Sequence, residues 1–499
     1  MSDTTLNGRL LAKPWCLWLT TASIFITEDD LQLNRIKPTA TEKTPQSPTA
    51  DGIVYSRRRG ICPTNPPFVH VPIEDYAPLV GEEKMERLRR AVAGVKGIKI
   101  LELNSTPLGG GVAEMLLSSV PFLNQLGVDD EWRVIRGSGP FFEVTKCIHN
   151  MLQGKGGCFT SDMERIYFET LAENSNGTVL DYEPDVVIAH DPQPLGLAPS
   201  LRASMNNEGK WVWRCHIDMD EDSLRANSDL ERFMDYWVES YDSAIFSAAQ
   251  YIICRWPLPK FIIPPFIDPL SEKNRELTPA EILSVLEKHE IEPSVPIIAQ
   301  IGRFDPWKGI LNTIEVYKLV KENTPCQLVL AGGTAADDPE GAVILHEVRQ
   351  KAKRDPGVHI LNLPPTSSLE INAIQRASRV ILQPSIREGF GLTVTEAMWK
   401  RKPVIASPIG GIALQLRDGE YGYFYTNPRE SAEKVVYLLT HPQAADLMGK
   451  RSREYVREHF LLPDRIADCL KAVRMLMETS PDRDSIISFH SWHKLDKRK

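Results

Sequence analysis

The sequence contains two series of short, uninterrupted apolar runs, and a segment long enough for one helix separates each run from the next. The first series includes GIKILELNS (97–105), DVVIAH (185–190) and WVWRCHID (211–218). The second series begins near Pro296 and consists of PIIAQIG, CQLVLAGG, VHILNL, RVILQPS and KPVIAS. Continuous rather than alternating apolar runs are typical of strands that are buried on both faces of a parallel sheet. The pattern therefore predicts an α/β protein with two doubly wound, Rossmann-like domains.

The length of 499 residues agrees with more than one domain, because a single hydrophobic core rarely extends so far. We expect a flexible extension and linker at 1–66, a first Rossmann-like domain at 67–270 and a second at 271–465. Residues 466–499 are predicted to form a helix and a polar tail. The Pro-rich stretch FIIPPFIDPL (261–270) lies between the two series and suggests a hinge. Two such domains that face each other across a cleft should bind a ligand at the carboxyl ends of their strands.

Net charge and cysteine content indicate which class of ligand to expect and which cellular compartment. The formal net charge of -8 argues against a general nucleic-acid binder and favours a small-molecule ligand. The eight cysteines form no C-x-x-C pair and no Cys/His cluster with zinc spacing, so we expect no metal site and a reducing cytoplasm. The apolar run Trp15–Thr27 is shorter than the roughly 18 residues of a membrane span, and no membrane partner is expected. The residues from about Ser480 to Lys499 are polar and predict a solvated tail.

The stretch SIREGFGLTVTEAMWK (385–400) places two glutamates around a glycine-containing turn and the start of a helix. Gly389 and Gly391 allow a tight turn after the strand RVILQPS, and the first amides of the helix, from about Leu392 and Thr393, form an anion site. A diphosphate bound there would bring one attached sugar near Glu388 and the other near Glu396. Carboxylates accept hydrogen bonds from vicinal hydroxyls, which suits a hexose and a ribose. Alternatively, the two glutamates are an ordinary solvated strand end and a favourable acid in the first turn of a helix.

Two further strand ends carry residues that suit the same ligand. Arg303 and Lys308 follow the strand PIIAQIG, and two cations there could stabilise a departing diphosphate without a metal. In NSTPLGGGVAEM (104–115), the glycines that include Gly110 and Gly111 allow close backbone approach to a ligand. This stretch lacks the third glycine of a G-x-G-x-x-G fingerprint, and a Walker lysine is also absent. Dinucleotide-dependent hydride transfer is therefore disfavoured.

Two strands of the first series end in residues that could contact sugars. Asp191 in HDPQP could orient an acceptor hydroxyl, and His216 in RCHIDMD could contact a transferred sugar, although each could equally be structural. Asp218 and Asp220 resemble a D-x-D metal motif, but they lie in an acidic run. We interpret that run as a solvated turn.

Together these motifs resemble the retaining GT-B glycosyltransferases of family 4, whose donor-site signature matches Glu388, Glu396, Arg303 and Lys308. Longer segments resemble the trehalose-forming glucosyltransferases within that family, across about residues 97 to 465. They include STPLGGGVAEML, FFEVTKCIHNMLQG, HDPQPL, WRCHID, IDPLSEKN, GRFDPWKG and SIREGFGLTVTEAMWK. The resemblance implies transfer of glucose, with retention, from an ADP-, UDP- or GDP-glucose donor to free glucose, reversibly and without a tightly bound cofactor or a required metal. It leaves the nucleotide base, and whether the protein is a homodimer, open.

The resemblance also implies a role for each matching residue. Arg303 and Lys308 would hold the diphosphate, Glu388 the donor glucose and Glu396 the ribose. His216 would bind the transferred glucose, and Asp191 would position the acceptor. Backbone amides would assist from Gly110, Gly111, Gly389, Phe390, Gly391, Leu392 and Thr393. The C-terminal helix, near Leu462 to Met477, would cross back to the first domain.

Other functions stay open at this point. A trehalose phosphorylase would share the fold and use phosphate in place of the nucleotide, and another family 4 glucosyltransferase would share the donor site. A two-carboxylate glycosidase would need Glu388 and Glu396 on either side of one sugar ring, and it would leave Arg303 and Lys308 without a purpose. A non-catalytic sugar-nucleotide sensor is disfavoured by the intact set of site residues.

Overall fold

The structure, a computed structural model, describes residues 62–63, 68, 70–175, 183–205, 208–333, 340–479 and 481–490. The predicted flexible extension at 1–66 therefore lies outside the described residues, apart from a strand at Cys62–Pro63. That strand pairs antiparallel with Asp129–Val134, so the linker prediction is wrong for these two residues. Backbone hydrogen bonds to a sheet edge need no particular side chains, and composition therefore gave no sign of this pairing.

The first sheet contains eight strands among the described residues, all of them parallel to their neighbours except β1. Along the sheet they lie in the order β1 (Cys62–Pro63), β3 (Asp129–Val134), β2 (Lys99–Asn104), β4 (Val186–His190), β5 (Lys210–Cys215), β6 (Ser243–Phe246), β7 (Lys260–Ile262) and β14 (Ile486–Ser488). The chain therefore places β3 on one side of β2 and then crosses to the other side, where β4, β5, β6 and β7 follow in order. The predicted hinge stretch begins within β7.

The second sheet has six described strands, and all of its pairings are parallel. Their order is β10 (Val358–Asn362), β9 (Gln327–Gly332), β8 (Ile297–Ile301), β11 (Val380–Gln383), β12 (Val404–Ala406) and β13 (Tyr423–Phe424). The central strands are buried along their whole length, which explains their uninterrupted apolar sequences. The predicted α/β class with two doubly wound sheets is confirmed.

Helices connect the strands of both sheets. Those of the first part of the chain are α1 (Ala77–Val80), α2 (Glu82–Ala93), α3 (Gly111–Gln125), α4 (Gly139–Leu152), α5 (Ser161–Ser175), α6 (Ala198–Ser204), α7 (Glu221–Arg225) and α8 (Ser228–Val238). The later ones are α9 (Pro279–Lys288), α10 (Ile310–Lys321), α11 (Gly341–Ala352), α12 (Ser368–Ala377), α13 (Leu392–Trp399), α14 (Ile412–Gln415), α15 (Pro428–Thr440), α16 (Pro442–His459) and α17 (Leu462–Glu478). Short 3-10 turns cover Ile73–Tyr76, Leu195–Leu197, Ala249–Tyr251 and Pro306–Lys308.

Each sheet has a point where the strand order reverses, and both points matter for ligand binding. In the first sheet the reversal lies between β2 and β4, and in the second it lies between β8 and β11. Connections leave such a point in opposite directions, so a crevice opens at the carboxyl ends of the two strands. The predicted site residues Gly110, Asp191, Arg303 and Glu388 all follow one of these four strands. The topology therefore brings them to two facing crevices.

The C-terminal part of the described chain returns to the first sheet. Helix α17 packs along α2, and β14 then adds a parallel edge strand beside β7. The prediction of a solvated tail from about Ser480 is therefore wrong for Ile486–Ser488. Residues 491–499 lie outside the described part, and the predicted domain boundaries stay a proposal. No helix in the described residues is long and apolar enough to cross a membrane, and the cytoplasmic location stays a prediction.

A buried cluster of ion pairs holds α17 against α2. Asp468 accepts hydrogen bonds from Arg87 on α2 and from His490 at 3.0 Å, and it forms an ion pair with Arg465, whose Nη1 lies 2.9 Å from its Oδ2. The side chains of Arg465 and Asp468 are 0% and 1% exposed. Although burial opposes it, the hydrogen bond from His490 and the charges of Arg465 and Arg87 lower the pKa of Asp468. Asp468 and Asp464, which lies 2.5 Å from Arg465, therefore supply the counter-charge for an arginine that has no access to solvent.

We predict that Asp468→Asn lowers the free energy of unfolding by about 3 kcal/mol, the low end of the usual loss for a broken buried ion pair, because the buried Arg465 loses one of its two carboxylate partners and keeps Asp464. Urea unfolding followed by circular dichroism measures this loss. The matched control is Glu169→Gln, which removes an exposed partner of Arg165 on α5 and should shift the transition little. Equal urea midpoints for wild type and Asp468→Asn would contradict the role of this cluster.

Candidate active site

A cavity of about 340 Å³ lies where the two crevices face each other. Residues of both sheets line it, including every residue predicted for the site except Glu396. Those residues are Gly110, Gly111, Asp191, His216, Arg303, Lys308, Glu388, Gly389, Phe390, Gly391, Leu392 and Thr393. The structure thus brings together side chains that lie up to 283 residues apart in sequence, from Gly110 to Thr393. That they bind substrate stays a prediction.

Two helices begin at the cavity, one from each sheet. Helix α3 starts after Gly109 and Gly110, which have φ of 79° and 90°, and α13 starts after Gly391 with φ of 86°. A side chain is strained at such angles, so glycine is required for both turns. The two turns also approach each other, since a Cβ on Gly111 would lie 3.0 Å from the side chain of Leu392. The first amides and the positive ends of two helices therefore converge on one region that suits an anion.

The two sheets are in direct contact beside these helix ends. A Cβ on Gly389 would lie only 2.1 Å from the carbonyl oxygen of His216, so only glycine fits there. Tyr251 donates a hydrogen bond across the same boundary to the carbonyl oxygen of Gly389 at 2.8 Å. The structure therefore shows the cleft in a closed arrangement.

Asp218 differs from its predicted role as part of a solvated turn. It is only 5% exposed, and it accepts hydrogen bonds from the side chain of Gln153 and from the amide of Glu388 at 3.3 Å. Burial raises the pKa of its carboxyl group. The prediction failed because the second sheet covers this turn, and the local acidic composition contains no sign of that cover. Asp218 is thus a link between the two halves of the cleft that sequence reasoning missed.

Glu388 and Lys308 form a close ion pair at the floor of the cavity. The Lys308 ammonium lies 2.6 and 2.8 Å from the two carboxylate oxygens of Glu388, and Ser385 donates to the same carboxylate at 3.1 Å. The lysine ends a 3-10 turn that Asp305 caps through the amide of Trp307. The cation predicted for the diphosphate and the carboxylate predicted for glucose are therefore neighbours.

The surroundings of Arg303 are strongly cationic. Its guanidinium lies 3.7 Å from Asp305, which also pairs with Lys146 of α4 at 3.3 Å. His149, one turn further along α4, lines the same cavity. Burial, together with the charges of Lys146 and Arg303, lowers the pKa of His149 to about 3. The charges of Lys146 and Arg303 add to the effect of burial on His149, and the same two cations suit a bound diphosphate.

Glu396 lies behind the cavity wall. It is 1% exposed, and one of its oxygens lies 3.0 Å from the ammonium of Lys273. Lys273 in turn lies 2.8 Å from Glu114 of α3, and the two carboxylates raise the pKa of Lys273 despite its burial. The second oxygen of Glu396 has no hydrogen-bond partner among the described residues, and burial raises the pKa of this carboxyl. Sequence reasoning gave Lys273 no role, although it lies within the quoted segment IDPLSEKN.

Asp191 uses its carboxylate to shape the loop that carries His216. It follows β4 with φ of 61°, and its Oδ1 accepts a hydrogen bond of 2.7 Å from the amide of His216. Burial of the carboxyl raises the pKa of Asp191 from 3.8 to about 6. Burial, followed by the charges of Arg214 and His190, lowers the pKa of His216. In the part of the chain that is described, no group of three or more His, Cys, Asp or Glu residues could hold a metal ion.

Two parallel α/β sheets with a cavity between them define the GT-B fold of glycosyltransferases, and comparisons with known proteins identify the same class. Residues 102–253 match the family described as "Trehalose synthase, N-terminal domain", and residues 284–455 match "Glycosyl transferases group 1". The protein is a glycosyltransferase. Within that class, the chain belongs to the trehalose synthase family.

Individual relatives agree with this assignment. The chain is 44% identical to a trehalose synthase of Pyrococcus horikoshii over 80% of this chain and 96% of the relative. It is 32% identical to a trehalose phosphorylase of Pleurotus pulmonarius over 73% of this chain and 54% of that protein. A solved structure described as "Trehalose-6-phosphate from E. coli bound with UDP-2-fluoro glucose" has a TM-score of 0.60 and 14% identity, and the match covers 75% of this chain and 98% of that one. At this identity the last comparison shows the fold alone.

We predict that Gly389→Ala slows glycosyl transfer by about 10²-fold, since the added methyl group must push apart the loops that carry Glu388 and His216. Initial rates under saturating substrate measure the effect, and melting temperatures show whether the fold is kept. Gly139→Ala is the matched control, because a Cβ at this position, the first of α4, meets no atom within 4 Å. A Gly389→Ala protein with the wild-type rate would show that closure does not need this contact.

Proposed function

We propose that the protein forms trehalose by transferring glucose, with retention of configuration, from a nucleoside-diphosphate glucose to free glucose. The observation that supports this most is the convergence of Arg303, Lys308 and Glu388 on two helix N-termini in one cavity. The helix ends and the two cations would bind a diphosphate, and the carboxylate would accept hydrogen bonds from sugar hydroxyls. The name of the archaeal relative agrees with trehalose as the product.

In this proposal the diphosphate leaves between the helix ends while Arg303 and Lys308 meet its growing negative charge. Lys308 neutralises Glu388 in the present structure. Once glucose hydroxyls bind the carboxylate of Glu388, the Lys308 ammonium turns toward the phosphates. Asp191 positions the acceptor glucose, and an oxygen of the donor phosphate takes the proton of the acceptor hydroxyl. The reaction therefore needs no carboxylate nucleophile, no tightly bound cofactor and no metal.

For the nucleoside, we propose that the ribose hydroxyls bind the carboxylate of Glu396. Lys273 then either leaves this carboxylate or contacts it together with the ribose. Lys273 lines the cavity and occupies the one oxygen of Glu396 that is paired, so the ribose hydroxyls would bind next to the lysine. The base would lie against Leu363 and Pro364, which line the same cavity at the end of β10. Contacts of this kind do not select one base, so adenine, uracil and guanine nucleotides all remain candidate donors.

The phosphorylase activity of the Pleurotus relative is the second candidate, because inorganic phosphate could occupy the same helix ends. Incubation of the protein with trehalose and either ADP, UDP or phosphate separates the two. Formation of a nucleoside-diphosphate glucose supports the synthase. Release of glucose 1-phosphate without nucleotide would establish the phosphorylase instead.

We predict that Lys308→Ala and Arg303→Ala each lower turnover by about 10²–10³, because each removes a preorganised contact to the leaving diphosphate. Rates are measured with a panel of nucleoside-diphosphate glucoses and free glucose, and trehalase digestion identifies the product. Lys321→Ala, which removes an exposed partner of Asp355, is the control and should keep wild-type turnover. Activity of both site variants within a few-fold of wild type, or a complete and metal-reversible loss with EDTA, would contradict the proposed diphosphate site.

A second prediction concerns pH. Because the folded-state pKa of Asp191 is about 6, turnover should fall as pH drops through 6 and the carboxylate is protonated. Asp191→Asn should lower turnover at pH 8, and its turnover should not fall as pH drops through 6.

The raised pKa of Asp191 also makes the stability of the fold depend on pH. The folded state favours the protonated carboxyl, so the contribution of Asp191 to the free energy of unfolding is fully present below pH 3.8 and is lost as pH rises through about 6. Asp191→Asn should therefore melt no lower than wild type at pH 8, and a clearly lower melting temperature would contradict this assignment.

A further inference from the structure

Three polar residues at neighbouring strands of the first sheet form a hydrogen-bonded chain that ends at His216. Glu102 lies on β2, His190 is the last residue of β4, and His216 directly follows β5. Glu102 Oε2 lies 2.7 Å from His190 Nε2, and His190 Nδ1 lies 3.0 Å from His216 Nε2. The two imidazole rings are nearly parallel, with an interplanar angle of 7°. None of the roles described above uses Glu102 or His190.

The hydrogen-bonded chain of Glu102, His190 and His216 lies in the protein interior. Glu102 is 4% exposed and His190 is 2% exposed, and a buried carboxylate is retained only where it has a strong partner. The nearby charged groups include Arg214 on β5, the carboxyl of Asp191 after β4 and the carboxyl of Asp130 on β3. Burial, with Glu102 as the next cause, raises the pKa of Asp130 well above its usual value, so Asp130 is protonated more readily than an exposed aspartate.

The hydrogen bonds assign the proton positions. A carboxylate only accepts hydrogen bonds, so His190 Nε2 carries a proton and donates it to Glu102. With His190 in its neutral form, its second nitrogen, Nδ1, is an acceptor, and His216 Nε2 donates to it. His216 itself is kept neutral because burial lowers its pKa. Nδ1 is therefore the ring nitrogen of His216 that is left for a ligand, and it carries a lone pair.

We propose that Glu102 and His190 are positioning residues that fix His216 as its Nε2–H tautomer, so that Nδ1 accepts a hydrogen bond from a hydroxyl group of the transferred sugar. The proposal deepens the proposed function and rests on it for the identity of the ligand. The backbone of His216 is fixed independently, since Asp191 holds its amide and Gly389 packs against its carbonyl oxygen. The ring and the backbone of this residue are thus held by separate contacts.

The variant that isolates the chain is Glu102→Gln, which keeps the size of the side chain. A glutamine amide can donate to His190 Nε2 as well as accept from it, so either tautomer of His190 becomes possible. His216 should then populate its Nδ1–H tautomer as well, which presents a donor where the sugar hydroxyl needs an acceptor. Turnover should fall by about 10–100-fold, by analogy with the loss of a carboxylate that orients a metal-ligating histidine. The KM for free glucose should change little.

The experiment measures tautomers and rates on the full-length protein. Long-range ¹H–¹⁵N correlation spectra of ¹⁵N-histidine-labelled protein distinguish Nε2–H from Nδ1–H rings, and His190→Gln and His216→Gln assign the two signals. We expect Nε2–H for both rings in the wild type and a mixture in Glu102→Gln. Asp130→Asn is the matched control, because it changes a buried carboxyl on the adjacent strand and should keep the wild-type tautomers and turnover.

Two results would overturn the proposal. One is a wild-type His216 protonated at Nδ1, and the other is a Glu102→Gln protein whose tautomers match the wild type, even if it turns over more slowly and melts lower. The tautomer measurement needs no substrate. A protein that makes no trehalose but shows the Nε2–H rings would therefore contradict the proposed function while leaving the positioning chain intact.

Discussion

The contact of Gly389 with the carbonyl oxygen of His216 is the constraint on which the cleft depends. A Cβ at this glycine would lie 2.1 Å from the oxygen, so the loop after β11 can rest on the loop after β5 only without a side chain. This contact brings Glu388 beside Asp218 and places both helix N-termini on one cavity. Other contacts also join the two halves, such as the pair of Lys146 with Asp305, but at Gly389 the two backbones approach so closely that a side chain would push the crevices apart.

Within the closed cleft, charged side chains are paired with one another in a way that a donor could exchange. Lys308 neutralises Glu388, and the single charge of Lys273 is shared between Glu396 and Glu114. Removing a carboxylate from water without a partner is costly, so these lysines stabilise the site while it contains no sugar. In the proposed function, sugar hydroxyls replace the lysines at the glutamates, and Lys308 becomes available to the diphosphate. The same residues would then serve the unbound and the bound state.

Much of the site could be predicted from sequence because parallel strands end at one edge of a sheet. Arg303, Lys308, Glu388, Asp191 and His216 each follow an apolar run, and that position alone predicts a place in the cleft. Residues whose role depends on the other sheet could not be found in this way. The acidic run around Asp218 looked solvated until the second sheet covered it, and nothing local distinguishes Lys273 from a surface lysine. The strand at Ile486–Ser488 was missed because its partner β7 lies more than 200 residues earlier in the chain.

The sequence by itself determined the two doubly wound sheets, the glycines at the turns and the helix starts that suit an anion, because these follow from local periodicity and backbone geometry. Tertiary structure alone decided which charges meet. Glu396 lies one turn into a helix in either case, but only the tertiary structure brings it to Lys273, which also pairs with Glu114 of α3. Likewise, Glu102, His190 and His216 form a chain only because β2, β4 and β5 are neighbours in the sheet. Electrostatic contacts act over a few ångströms in space, and sequence distance carries no information about them.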